Sequence, residues 1–561
     1  MKIAFRPKLL DCLPGYNRAQ FGKDLASGIT VGVLALPLAM AFAIASGVSP
    51  TAGIWTAIVA GFLTAALGGS RVQIGGPTGA FIPIIYGIVA MHGFVNLLGA
   101  TMLAGFFLLA MGLARMGQLI RFIPVTVVIG FTNGIAVVIF LAQLKDFFGL
   151  QIDNLPAEFF HRIKTLAAYA HTVDLPTLGL ASACFVFLLS YNKLAQKIAI
   201  LRRAPGPLAV LVVGTLVSFL FELPVETIGS RFNGIPQEMP DFGLPALSIH
   251  DLGKLISPAI TIALLGAIES LLSARVADSQ IDDRHDPNQE LVAQGLSNIA
   301  APLFGGFAAT GAIARTTTNV KTGGRTPIAG IIHAIVLLGI VLLAAPLAAY
   351  VPLATLSAIV MVVAINMGEW HEFAELKRYS YNYRIILLST FLVTVLFDLT
   401  IAVELGMVLA SLFFIYRMSD LTRVERLPLA ELSMMPGFLN PDGAPRVVAY
   451  SVYGSLFFGA IHKLEALLDP AENHPEVVIL EMQHLLSMDT TGMEGLESLC
   501  KNLHKRGCAL ILCNLNTQPE SLIRRSGFGD EVGPNNLCSD LYSALARARQ
   551  LLPRLPDADP L

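Results

Sequence analysis

The sequence predicts an α-helical polytopic membrane protein that carries a small soluble α/β domain at its C-terminal end. Three observations lead there. First, 54% of the 561 residues are hydrophobic and 14% charged, with mean hydropathy +0.65, whereas soluble domains carry about 25% charge. Second, Leu25–Ser70, Val72–Ala114 and Phe122–Leu144 contain no Asp, Glu, Lys or Arg. At roughly 20 apolar residues per span, residues 25–416 hold about a dozen or more crossings. Third, beyond Arg446 the long apolar runs give way to short strand-like runs alternating with helical ones.

In chain order, residues 1–24 form a polar N-terminal segment with Lys2, Arg6, Lys8, Arg18 and Lys23 ahead of the first span. Arg417, Arg423 and Arg426 follow the last apolar run. Lys and Arg flanking spans favour the cytoplasmic side, which predicts cytoplasmic ends and an even number of spans. Residues 1–24 lack the apolar centre and cleavage site of a signal peptide, so the first span itself directs insertion. The net charge of −2 is spread unevenly and so says little about partners; no nucleic-acid partner is expected. None of the six cysteines forms a CxxC pair, and four lie in the C-terminal tail. No disulfide, metal site or cofactor is expected.

The transport domain is read as residues 25–416. Its candidate spans are 27–45, 50–68, 73–90, 94–113, 123–143, 176–193, 207–222, 256–274, 289–304, 311–320, 327–347, 352–367, 383–398 and 400–416. The more polar stretches 150–175 and 223–254 read as loops or interfacial pieces. Two halves have similar punctuation. One opens near Ser27 and reaches a small-residue break at Gly75; the other opens near Ser257 and breaks at Gly311. An inverted repeat accounts for that offset and requires an odd number of spans per half. A linker over 417–445 leads to a soluble domain at 446–552 and a tail at 553–561. Strands are predicted at 446–452, 477–482 and 508–513, with helices near 460–468 and 491–506.

The chemistry concentrates at the two breaks, Gly75-Gly76-Pro77-Thr78-Gly79-Ala80-Phe81 and Ala309-Thr310-Gly311-Ala312-Ile313-Ala314-Arg315-Thr316-Thr317-Thr318. Broken backbone within a membrane survives where it lines a cavity, and paired breaks in two halves mark a transporter's substrate site. Helix N-termini there offer partial positive charge; the alternative is a kink or tight packing. Arg315 costs at least about 2.5–3.5 kcal/mol to insert, so it either faces a bound anion or pairs with a carboxylate such as Glu269. The Thr316–Thr318 hydroxyls either donate to a ligand or back-bond within their helix. Glu269, among apolar neighbours, is a proton or sodium coupling site or half of a salt bridge. Asp398 and Glu404 read as solvated or structural, His92 and His333 as loop or satisfied interior histidines. Phe42, beside Pro37, lines a cavity or packs. No nucleophile–base set or phosphate-cradling loop suggests an enzyme.

These residues resemble the sulfate-permease (SulP) anion transporter family. Ser49-Pro50-Thr51-Ala52-Gly53-Ile54-Trp55 is similar to its signature, with Trp55 where tyrosine is usual, and Arg121–Pro124, Gly130–Gly134 and Gly266–Ser270 also fit. The C-terminal domain resembles the family's STAS domain. The likeness implies about 14 segments in two inverted seven-segment repeats, the uracil-transporter-like fold, with substrate between the third and tenth segments. It implies Phe42, Gly76, Thr78, Gly311, Ala314, Arg315 and Thr316 as substrate-binding residues and Glu269 as the ion-coupling acid. A homodimer in a bacterial inner membrane, with a cytoplasmic STAS domain that engages a cytosolic protein partner, is also implied. In that domain Thr490 matches a phosphorylated position of anti-sigma-factor antagonists, unless the loop simply caps its helix. The membrane part is similar to bacterial C4-dicarboxylate transporters at Gly266–Leu272 and Glu290–Arg315, which points to cation-coupled C4-dicarboxylate uptake, with sulfate or bicarbonate as the alternative. A nucleobase transporter and a non-transporting scaffold are the remaining readings.

Overall fold

A computed structural model describes residues 5–118, 124–152, 155–156, 158–197, 205–235, 240, 242–246, 249–397, 399–428, 438–440, 444–465 and 475–552. Arg121–Ile123 of one motif, Asp398, the side chain of Glu404, the predicted helix beyond Glu465, part of the linker and the tail from 553 lie outside the described residues. The chain forms two compact units, Met1–Met407 and Val408–Leu561.

The principal helices run in order α1 Arg18–Ala45, α2 Pro50–Leu67, α3 Ile82–His92, α4 Phe94–Leu113, α5 Val125–Phe148, α6 Leu175–Lys197, α7 Gly206–Leu220, α8 Ile249–Ile281, α9 Pro287–Ala300, α10 Ile313–Lys321, α11 Ile328–Ala348, α12 Leu353–Met367, α13 Tyr381–Leu396 and α14 Leu399–Leu421. Six of them are long and apolar enough to cross a membrane by themselves. Their starts follow local chemistry. Asn17 caps α1 by accepting from Gln20 N at 2.9 Å. Ser49 caps α2, whose first residue, Pro50, has no N–H to leave unpaired. Asp286 caps α9 in the same way ahead of Pro287.

The packing has the two-fold character that the sequence offset predicts. First-half helices α1 and α2 pack on α11 of the second half, and second-half helices α8 and α9 pack on α4 of the first. Contact is close where glycines meet: a methyl at Gly105 of α4 would lie 2.7 Å from the Gly295 carbonyl of α9, and the reverse distance is 2.8 Å. Small residues let membrane helices approach where no hydrophobic drive exists between them.

The predicted span 73–90 is not one helix. Gly75–Gly76 is a short strand, β1, followed by a 3₁₀ turn at Gly79–Phe81 and then α3. Gly76 has φ +140°, and Pro77 has no N–H to give, so a helix cannot continue through them. Thr310–Gly311 forms β2 ahead of α10. The stretch 150–175 contains an amphipathic helix, Phe159–Ala168.

In the second unit a six-stranded sheet has the order β3-β4-β5-β7-β8, with β6 also on β4. The strands are β3 Arg423–Arg426, β4 Val447–Leu456, β5 Val477–Glu481, β6 Leu485–Met488, β7 Ala509–Cys513 and β8 Leu537–Cys538. All pairings are parallel except β3 with β4. Val478, Leu480, Leu510 and Leu512 face one layer with Leu496, Leu499 and Leu503 of α15 (Thr490–Lys505). Val477, Ile479, Ile511 and Cys513 face the other with Ala544, Leu545 and Ala548 of α16 (Leu541–Leu551). Both faces are covered, which is why these strands read as continuous apolar runs. Strand β3 lies in the stretch read as linker, and α14 continues through Leu421.

Candidate functional site

The two broken stretches meet. β1 and β2 pair antiparallel, Gly75 opposite Gly311 and Gly76 opposite Thr310, and Ala312 N donates to the Ile74 carbonyl at 2.8 Å. Because the strands are antiparallel, α3 and α10 leave the pair in opposite directions with their N-termini beside it. No side chain caps α10 or the turn at Gly79, so their first-turn amides remain available as donors.

The rest of the interrupted backbone is satisfied by side chains from surrounding helices. Thr316 Oγ1 accepts from Ile74 N at 3.0 Å, and Asn319 Nδ2 donates to the Val72 carbonyl at 2.8 Å. Asn298 pairs with both Ala309 N and Ala309 O, at 2.8 and 2.9 Å. Thr56 Oγ1 accepts from Phe307 N at 2.8 Å, and Ser270 Oγ from Gly311 N at 3.1 Å. Buried backbone must be paired, and here polar side chains replace the missing helix bonds.

A buried carboxylate anchors this scaffold. Glu290 of α9 is 0% exposed. It accepts from Gly69 N at 2.9 Å, Ser70 N at 3.2 Å, Gln73 Nε2 at 2.9 Å and Gln294 Nε2 at 3.3 Å. Gln73 Nε2 also donates to the Ser270 carbonyl at 3.2 Å, joining both breaks to one network. Sequence reading passed over Glu290 and Gln73; an acid inside a predicted span and an amide two residues before Gly75 were the available signals.

Arg315 stands apart from that network. It is 2% exposed; Nη2 donates to the Pro77 carbonyl at 2.6 Å, while Nη1 is buried with no partner. Arg315 and Glu269 form no ion pair, so the predicted alternative of a permanent pair between them is not what this structure holds. Gly76 makes room for the guanidinium: a methyl there would lie 2.8 Å from Nη1. The Thr78 hydroxyl is a second buried group without a partner. Gly311 lies against Gln73, its would-be methyl 2.1 Å from Nε2. Ala314 is exposed, and its carbonyl accepts from Thr318 Oγ1 at 2.8 Å. The start of α3 looks onto Phe42 of α1, Ile139 of α5 and Met367 of α12: a methyl at Gly79 would lie 3.8, 3.7 and 3.8 Å from their side-chain atoms. Glu269, half-buried on α8, directly precedes Ser270 of the network. A cavity of about 720 Å³ follows α3 from His92 to Pro83, one helical turn from Gly79.

Two unpartnered groups, Arg315 Nη1 and the Thr78 hydroxyl, thus lie at the two breaks, beside the starts of two half-helices. Residues 21–390 match the sulfate permease family, and residues 439–548 match the STAS domain. The chain belongs to the sulfate permease family. It is 42% identical over 522 residues, 92% of this chain and 96% of the other, to the "Putative sulfate transporter YvdB" of Bacillus subtilis. The solved transmembrane domain of a cyanobacterium bicarbonate transporter, BicA, superposes with TM-score 0.63 at 33% identity, over 69% of this chain and 98% of that one. The fold of nearly the whole chain is also that of the murine anion transporter Slc26a9, with TM-score 0.84 over 98% of this chain and 96% of the other, at 19% identity. The protein is thus a polytopic sulfate-permease family anion transporter with a C-terminal STAS domain.

In that domain Asp489, not Thr490, caps α15: its carboxylate accepts from Gly492 N at 2.7 Å, and Thr490 is exposed on the first turn. The loop therefore caps its helix, through Asp489.

Proposed function

We propose that this chain is a secondary active transporter of a small inorganic oxyanion, sulfate or bicarbonate, bound between the N-termini of α3 and α10. The observation that carries this reading is Arg315, a buried guanidinium with one nitrogen unpartnered. An uncompensated buried cation is costly, and an anion is the group that relieves it. Thr78, Gly76, Gly311, Ala314 and Phe42 complete the pocket, with first-turn amides as further donors. Thr316 acts chiefly by holding Ile74 in place. Glu269 couples uptake to a proton or sodium ion. Sulfate and bicarbonate are what the relatives' names state, and this favours them over the C4-dicarboxylate suggested by the likeness at Gly266–Leu272 and Glu290–Arg315. The transporter works as a homodimer in a bacterial inner membrane with both ends cytoplasmic. There the STAS domain meets a cytosolic protein, and phosphate on Thr490 regulates it.

Uptake of radiolabelled sulfate and bicarbonate into proteoliposomes, each challenged with excess succinate, tests the reading. Saturable uptake of either anion that succinate leaves intact supports it. Uptake of succinate alone restores the dicarboxylate, and no flux at all leaves a scaffold. Loss of cation dependence in Glu269→Gln checks the coupling role, and phosphopeptide mapping checks Thr490.

A further inference from the structure

A buried group that the anion site leaves unused is His333 of α11. It is 0% exposed, and neither ring nitrogen has a hydrogen-bond partner. A buried polar group without a partner is costly and calls for an explanation. Its niche is a missing side chain. A methyl at Gly61 of α2 would lie 3.1 Å from the ring's Cε1 and 3.3 Å from the Gly75 carbonyl of β1. One turn earlier on α2, Ala57 backs Gly76: a methyl at Gly76 would lie 3.3 Å from Ala57 Cα and 2.8 Å from Arg315 Nη1. Ala57 and Gly61 are about 6 Å apart along the helix axis. The imidazole and the guanidinium therefore stand about one turn apart along the same two-residue strand.

Gly61 of α2 faces the ring, and the backbone of Gly330, one turn earlier on its own helix, also lies near it; neither is titratable. Arg315 of α10 lies against Gly76, the next residue of the strand, and Glu290 is committed to its four donors. A proton on His333 beside an empty site meets the positive charge of Arg315. An oxyanion on Arg315 cancels that repulsion. Each then favours the other equally, since coupling between two sites is reciprocal.

We propose that His333 is the proton-carrying residue of the transport core, taking a proton from water onto a ring nitrogen as the oxyanion settles on Arg315 and losing it when the anion leaves. The inference rests on the oxyanion reading of the site. It makes His333 a carrier of the coupling ion distinct from Glu269.

Calorimetric titration of the full-length protein in nanodiscs with sulfate, in two buffers of different ionisation enthalpy across pH 5.5–8, tests it. Wild type is expected to take up as much as one proton per sulfate bound, so that affinity tightens up to about tenfold per pH unit as pH falls. His333→Gln, with His333→Asn as a second variant that leaves the niche filled, should still bind sulfate without proton uptake or pH dependence. A wild type without proton uptake, or uptake that persists in the His333 variants, overturns the assignment. If neither sulfate nor bicarbonate binds at any pH, the oxyanion reading fails first and this inference falls with it.

Discussion

Replacing Arg315 with Met separates a binding cation from a structural one, because the two roles predict opposite effects on the empty protein. Arg315 is fully buried, unpaired with any carboxylate, and bonded once, to the Pro77 carbonyl at 2.6 Å. Removing the charge recovers an insertion cost of at least about 2.5–3.5 kcal/mol. It also strands the Pro77 carbonyl, at a cost of about 1–3 kcal/mol. The terms nearly cancel, and Met occupies much of the same volume, so Arg315→Met should leave apo stability within about 1–2 kcal/mol of wild type. Ligand response should shrink to about 0.3–1.4 kcal/mol at the concentration that is one hundred times the wild-type Kd. Wild type at one hundred times Kd gains about 2.7 kcal/mol from a bound anion. A charge-assisted contact worth about 1.5–3 kcal/mol loosens Kd by roughly 10- to 150-fold when removed. Thermal melting of the detergent-solubilised full chain, with and without sulfate or bicarbonate, reads both quantities. An apo protein destabilised by about 3–5 kcal/mol, the signature of a broken buried pair, with the anion-induced shift intact, would refute the reasoning.

Glu290→Gln should lower apo stability by about 1–3 kcal/mol, because an amide turns two of its hydrogens toward existing donors; an unchanged melting temperature would deny the network its anchoring role. Asp489→Ala should cost about 1 kcal/mol at the start of α15, whereas Thr490→Ala should stay within about 0.5 kcal/mol. Amide exchange at the first turn of α15 in the full-length protein distinguishes them, and equal effects would deny Asp489 the capping role. In the STAS domain burial pushes the Cys513 thiol up to about 12 and Cys508 up to about 11 from an ordinary 9.0. Unfolded chains release these protons first, so stability is fully present below about pH 9 and falls above it, by up to about 1.4 kcal/mol per pH unit for each thiol. Alkaline unfolding followed at a STAS-domain probe in wild type and Cys513→Ser checks this, and a pH-independent difference between them would contradict it.

The membrane fold was legible because its signal is physical and large: charge-free runs longer than a bilayer, broken in two places by glycine and proline. The ends were less so. The stretch 73–90 reads as one span by hydropathy, yet the helix starts at Ile82, since composition does not register the φ of +140° at Gly76. In the STAS domain the strands β4, β5 and β7 announced themselves as apolar runs. Strand β6, Leu485–Met488, with its exposed Leu486 and Ser487, did not, nor did the two-residue β8. At the site Arg315 stood out by its cost, whereas the scaffold around it was hidden. Gln73, Ser270, Asn298 and Asn319 look like ordinary polar residues until the fold brings residues more than 200 positions apart into contact, as with Asn319 and Val72. Cys513 and Cys538 are likewise brought into cross-strand register, a pairing that no sequence spacing reveals.

The pattern of satisfied and unsatisfied groups around β1 and β2 bears on the charge of what the proposed site would bind. Carbonyls exposed by the breaks have found donors: Val72 from Asn319, Ile74 from Ala312, Pro77 from Arg315 and Ala309 from Asn298. Beside the Gln73 Oε1 acceptor and the His333 ring, the groups left without partners near the half-helix N-termini are one guanidinium nitrogen, one threonine hydroxyl and uncapped first-turn amides. Apart from the hydroxyl, which can act either way, these are donors, and one carries full positive charge. A cation would meet repulsion there, and a neutral nucleobase would supply acceptors while leaving the guanidinium charge uncompensated in a low-dielectric setting, where charges interact most strongly. An oxyanion meets both demands at once, since its oxygens accept from several directions and its charge neutralises Arg315. The choice among oxyanions then falls to volume and to the side chains nearest Gly79, those of Phe42, Ile139 and Met367, which are apolar. That is the physical ground on which a compact inorganic anion is favoured over a C4-dicarboxylate.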